Sequence, residues 1–179
     1  MLAGAMTRAG LLDELCLTVA PHMFATAGPR ITDGAGPPSQ EEWRINRTLI
    51  DERANALRNK DAGGVISHHA EDFVQFSLAP PLIATDANVK GFEAWFATWQ
   101  GQLGYELRDL TISVGDDIAF SHSLNHMTGT KTDGQKADLW FRQTLCFHKI
   151  NGAWAVVHEH ESVPFYMDGS FRAAIDLKP

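Results

Sequence analysis

Along the first half of the main domain apolar residues recur every three to four positions, and from residue 105 onward they alternate with polar ones. Trp43, Ile50, Ala54 and Leu57 keep helical spacing and predict a helix from residue 40 to about residue 60. The run Ser39-Gln40-Glu41-Glu42 reads as its capping box, with the Ser39 hydroxyl on the first turn and Glu42 reaching back to the cap. Asp61 is placed to cap a second short helix holding Val65 and Ile66. Residues 72–78 alternate as a strand that Pro80-Pro81 stops. A third helix, 88–100, carries Phe92, Trp95, Phe96 and Trp99.

Four strands follow, at 105–114, 118–130, 136–150 and 153–163. Their connections, Gly115-Asp116, Thr132-Asp133-Gly134 and Asn151-Gly152, are too short for anything but antiparallel neighbours. Strands of ~10–15 residues exceed the usual five or six and imply strong curvature. The expectation is an α+β domain, a cone-shaped antiparallel sheet covered by three helices, with a ligand pocket at the mouth of the cone.

Residues 1–38 differ in style from this domain. A short helix (2–12) and a strand-like run (14–20) lead into a Gly/Pro-punctuated linker, so the expected division is an extension, 1–38, and a main domain, 39–179. Within the extension, residues 8–34 resemble a fragment near the end of the riboflavin-pathway reductase domain. That domain's cofactor-binding parts have no counterpart in the fragment, so no activity is implied.

Composition narrows the function classes. The 179 residues are 44% apolar and 21% charged, as in globular domains. A formal charge of −7 offers no basic face for nucleic acid. No apolar run has the length of a membrane span, and no signal-like segment opens the chain, so a cytoplasmic protein is expected. Cys16 and Cys146 are expected as reduced thiols. No phosphate-binding loop, dinucleotide fingerprint or nucleophile elbow is present, so no cofactor is expected.

Candidate chemistry concentrates in residues 139–165, where Trp140, Arg142, His158, Glu159, His160 and Glu161 are set into two paired strands. Costly side chains at so many strand positions point to a polar pocket. His158 and His160 share one face and Glu159 and Glu161 the other. A flush turn at Asn151-Gly152 sets Gln143 opposite His160, Leu145 opposite His158, Arg142 opposite Glu161 and Thr144 opposite Glu159. A bulge swaps these sets.

Three readings stand beside one another. Arg142 and a carboxylate form a structural ion pair with the imidazoles in core hydrogen bonds; or a His and a carboxylate act as acid and base with Arg142 stabilising an enolate; or His158 and His160 share a divalent ion with a residue such as His122. The expected set names no metal. Trp140, Trp95, Trp99, Tyr105 and Phe76 make either core or an aromatic wall for a flat ligand.

The order of elements resembles the SnoaL-like branch of the nuclear transport factor 2-like superfamily. The resemblance rests on F-S-L-A-P-P-L at 76–82, A-F-S-H-S-L at 119–124, L-W-F-R-Q-T at 139–144 and N-G-A-W-A-V-V-H-E-H-E-S-V-P-F at 151–165. It implies a conical sheet, a buried cavity and a homodimer formed through the sheet. Its members include ketosteroid isomerases, polyketide cyclases, epoxide hydrolases, dehydratases and non-catalytic domains. The strand-borne aspartate and Tyr–Asp pair of the isomerases have no clear equivalent, since the first strand offers Gln75 and Ser77.

The expectation is therefore a cofactor-independent enzyme of isomerase, cyclase, hydratase or hydrolase type, acting on a small hydrophobic or carbonyl-containing molecule. His160 and His122 are its proton carriers, Arg142 its anion stabiliser, and His158 and Glu159 orienting groups. Trp140, Trp95, Trp99, Phe76, Tyr105 and Gln143 form the substrate-binding set. The alternative is a ligand-binding or assembly domain without turnover.

Overall fold

The computed structural model describes residues 40–85 and 87–179. The 1–38 extension, the Ser39 cap, Asp86 and Cys16 lie outside the described residues. The elements run α1 (Gln40–Asn59), α2 (Ala62–Ile66), β1 (His69–Phe76), α3 (Val89–Ala97), β2 (Trp99–Val114), β3 (Ile118–Lys131), β4 (Lys136–Ile150) and β5 (Ala153–Ser162). The fold is α+β, as the periodicity predicts, with sheet order β1-β5-β4-β3-β2. β2 to β5 form the antiparallel meander, and β1 adds to its far edge parallel to β5.

Local chemistry explains the boundaries. The Asp61 carboxylate accepts from the Gly64 N–H at 2.9 Å and opens α2. Asn88 does the same for α3 through the Gly91 N–H at 3.0 Å. α3 ends at Ala97, so Trp99 begins β2 where a helix was expected to continue. The alternation of β2 is disguised there because Gly101 takes a left-handed conformation (φ 59°) and the pairing with β3 slips between Gln100 and Gly104. Asn151 and Gly152, at φ 52° and 84°, make the tight β4–β5 turn that the sequence predicts.

The buried stripe of α1 consists of Asn46, Ile50, Arg53, Ala54 and Leu57, and it packs on the sheet. Leu57 joins Val65, Phe96, Trp99, Leu103, Tyr105 and Phe141 in one cluster. Ile50 joins Phe73, Val114, Leu145, Phe147, Trp154 and Val156 in the other. Glu42 ties the start of α1 to the β4–β5 hairpin, accepting from Lys149 Nζ at 2.5 Å and from the Trp154 indole N–H. Among the described residues no helix is long and apolar enough to cross a membrane.

Candidate active site

Which face of β5 looks inward is decided by a single residue. From Ile150↔Ala153 to Phe147↔Val156 the β4–β5 pairing follows the flush turn, but Cys146 then pairs with His158. Val157 is the extra residue of a bulge, and beyond it every side chain changes face. The flush pairing is therefore corrected. Leu145 lies opposite Glu159, Gln143 opposite Glu161, Thr144 opposite His160, and Arg142 opposite Ser162 rather than Glu161.

Glu159 is consequently the most deeply buried polar residue of β5, with no accessible surface. Arg53 Nη2 donates to its Oε2 at 2.6 Å, Gln75 Nε2 to the same oxygen at 2.8 Å, and Gln143 Nε2 to Oε1 at 2.7 Å. The Gln143 amide also faces Tyr105 Oη (3.3 Å) and Glu161 Oε1 (3.5 Å). Asn125 Nδ2 donates to Tyr105 Oη at 2.7 Å and to Gln143 Oε1 at 2.9 Å, and the Ser123 hydroxyl donates to Asn125 Oδ1 at 2.7 Å. α1, β1, β2, β3, β4 and β5 each contribute to this one network, which fixes its geometry from all sides.

The two inward carboxylates sit in different environments. Glu159 has its guanidinium and two amide donors. Burial, followed by repulsion from Glu159, pushes the pKa of Glu161 up to about 8, against the opposing pull of Arg53, the Leu78 backbone and Gln143. Near neutral pH Glu161 therefore carries a proton. Burial also raises the Tyr105 phenol and keeps it protonated. A narrow crevice lies against this network, lined by Ile50, Arg53, Ala54, Leu57, Tyr105, Leu107, Gln143 and Leu145.

The expected site residues separate onto two faces. Glu159, Gln143, Tyr105 and Trp99 are buried on the helix side, with Trp95 at the edge of the same core. His122, His158, His160, Arg142, Trp140 and Phe76 occupy the opposite face of the sheet. His158 Nδ1 bonds the Val74 carbonyl at 2.9 Å, and Phe76 meets His158 and His160 edge-on, with centroids 4.8 and 5.6 Å apart. His160 is exposed. Trp140 stacks on His126 at 4.4 Å and, with Arg142 and Leu124, lines an open groove of about 200 Å³ under the C-terminal residues Ala174 and Leu177. The aromatic set thus does not form one wall, and the imidazoles do not converge with Glu159. Among the described residues no group of three His, Cys, Asp or Glu side chains could hold a metal ion.

Five members of the network, Arg53, Gln75, Asn125, Ser123 and Glu161, are absent from the expected site, although Glu161 was noted among the costly side chains of the β4–β5 pair. Arg53 had a readable signal, because a guanidinium at position 53 stands inside the apolar stripe Ile50-Ala54-Leu57. Ser121, Ser123 and Asn125 alternate with Phe120, His122 and Leu124, so the polar set of β3 was visible while its direction depended on register.

Residues 47–166 match the SnoaL-like domain family. A nuclear transport factor 2-like protein of unknown function from Pseudomonas putida is 30% identical over 79% of this chain and 99% of its own, with a TM-score of 0.70. A proposed scytalone dehydratase from Novosphingobium aromaticivorans shares the fold at 20% identity, 75% and 91% coverage and a TM-score of 0.62. So does a proposed calcium/calmodulin-dependent protein kinase II association domain from Xanthomonas campestris, at 23% identity, 72% and 91% coverage and a TM-score of 0.58. No curated protein matches the chain. With two thirds of its length matching the profile and the cone-forming elements all in place, the chain belongs to the SnoaL-like domain family of the nuclear transport factor 2-like superfamily.

Proposed function

We propose that the protein is a cofactor-independent small-molecule enzyme whose proton carrier is Glu161. The observation that carries this reading is the pair of inward carboxyls in unlike surroundings: Glu159 takes the Arg53 guanidinium, and Glu161 is protonated near neutral pH. A buried carboxyl raised in this way beside a paired one is a signature of acid–base assignment. The carboxyl proton of Glu161 passes to a substrate carbonyl oxygen. The carboxylate left behind takes a proton from the adjacent carbon, which yields the enol and restores the acid. The Tyr105 hydroxyl and the Gln143 amide flank the path and orient the oxygen.

Apolar walls from Ile50, Leu57, Leu107 and Leu145 favour a small hydrophobic carbonyl compound. The cavity is too narrow for a water-sized sphere, so binding requires α1 and the sheet to part slightly. His122, His158, His160 and Arg142 face away from this chamber and take no part in the proton transfer. Deuterium exchange at the carbon next to the carbonyl, followed by NMR across a panel of small ketones, tests the proposal. Exchange should be catalysed by the wild-type protein and lost in Glu161→Gln. Equal exchange in both proteins would refute it.

The narrowness of the cavity supports a second reading, an assembly domain without turnover. Its contact surface is the outer sheet face, where Phe120, Leu124 and Trp140 are only half-buried. A homodimer through that face is compatible with either reading. Light scattering of wild-type protein and Leu124→Glu, which should shift a dimer to monomer, examines it.

A further inference from the structure

At the junction of α1 and β1 two buried polar groups have no partner among the described residues. Arg53 is 6% exposed, and its Nε finds no acceptor although Nη2 is engaged by Glu159. His69 has both ring nitrogens shut from solvent and unpartnered, with its ring stacked on Phe73 at 3.8 Å and 15°. The charge of Arg53 acts on the His69 ring, so the two side chains lie near one another. Their chain neighbours Glu52 and His68 meet at 2.8 Å, and the His68 carbonyl accepts from the Val156 N–H at 2.7 Å, which pins the start of β1 between α1 and β5.

Leaving two such groups unsatisfied costs about 1–3 kcal/mol each, and a Phe would give the same stack on Phe73 without that cost. The imidazole is neutral: burial, then the charge of Arg53, pushes its pKa down to about 3. A neutral ring offers one donor and one acceptor, and Nε of Arg53 offers a donor. An oxygen that both accepts and donates completes this set.

We propose that Arg53 Nε and His69 form an inner subsite for a hydroxyl group. The hydroxyl oxygen accepts from Arg53 Nε–H and its hydrogen goes to the unprotonated nitrogen of His69. The hydroxyl comes from water or from a ligand reaching past the cavity wall that Arg53 shares. This subsite stands whether or not Glu161 transfers protons.

The test uses the full chain labelled with 15N-histidine, without substrate. Water–imidazole cross-relaxation at the His69 ring in plain buffer identifies a held water. A cross-peak that arises only on saturable addition of methanol identifies a site for a ligand hydroxyl. In Arg53→Lys, which keeps a cation facing Glu159 but lacks the Nε–H donor and whose fold is checked by its amide spectrum, either signal should vanish. Absence of both signals in the wild type overturns the proposal, and so does a signal that survives in the variant. If the variant fails to fold, the wild-type measurement decides alone.

Discussion

Arg53 on α1 and Glu159 on β5 form a 2.6 Å ion pair across 106 positions of sequence, with side chains 8% and 0% accessible. The pair joins the helix layer to the sheet where desolvation is severe. Removing one partner strands a charge, which costs about 3–5 kcal/mol, whereas a well-packed apolar pair costs far less. Arg53→Met should therefore lose about that much in urea denaturation, and Arg53→Met/Glu159→Met should recover most of it. Additive losses would show that the pair is not the coupling between the two layers.

Gln143 is the hub of the network, bonded to Glu159, Asn125 and Tyr105. Its amide touches both inward carboxyls, at 2.7 and 3.5 Å. Gln143→Leu keeps the volume but leaves Asn125 and Glu159 short of partners, at a cost of about 2–3 kcal/mol. Gln143→Glu should be worse, since it sets a third carboxyl among Glu159 and Glu161. Calorimetric melting of the two variants gives the order.

Glu161 makes stability depend on pH in a direction that can be worked out. Its folded pKa, about 8, lies above the ordinary 4.5, so the native state holds a proton that the unfolded chain has released. Its contribution is complete below pH 4.5 and is lost as pH rises toward 8. His69 acts oppositely, being depressed to about 3, so its contribution is lost as pH falls below 6.5. Between pH 6.5 and 8 only the Glu161 effect remains of the two. The urea midpoint of the wild type should fall across that interval relative to Glu161→Gln. Parallel curves for the two proteins would place the Glu161 pKa near its ordinary value.

Much of this fold was legible because its signals are local. The Asp61 cap, the Asn151-Gly152 turn and the long alternations of β3 and β4 depend on neighbours in sequence. The α+β cone followed from them. The site was less legible because its direction depends on one pairing event. Val157 is an ordinary β-branched strand residue, and nothing in its type announces a bulge. Yet that bulge turns Glu159 and Glu161 inward and His158 and His160 outward. The parallel pairing of β1 with β5, which brings Gln75 onto Glu159, is likewise a contact between distant segments.

The bulge also separates two views of the chemistry by experiment. His160 is exposed, and its ring contacts are an edge-on one with Phe76 and a tilted one with His158 on the outer face, so His160→Ala should shift stability by no more than about 0.5 kcal/mol. Because it lies on the face opposite Glu161, the same substitution should leave ketone exchange within about twofold of wild type, a barrier change of roughly 0.4 kcal/mol. Glu161→Gln should instead lose that exchange while the protein stays folded, since the amide replaces a carboxyl that is already neutral near pH 7. Loss of exchange in His160→Ala with full activity in Glu161→Gln would move the chemistry to the outer face, beside His122, Thr144 and Arg142. The two variants, assayed side by side at pH 7 and with melting curves for each, therefore decide which side of β5 works.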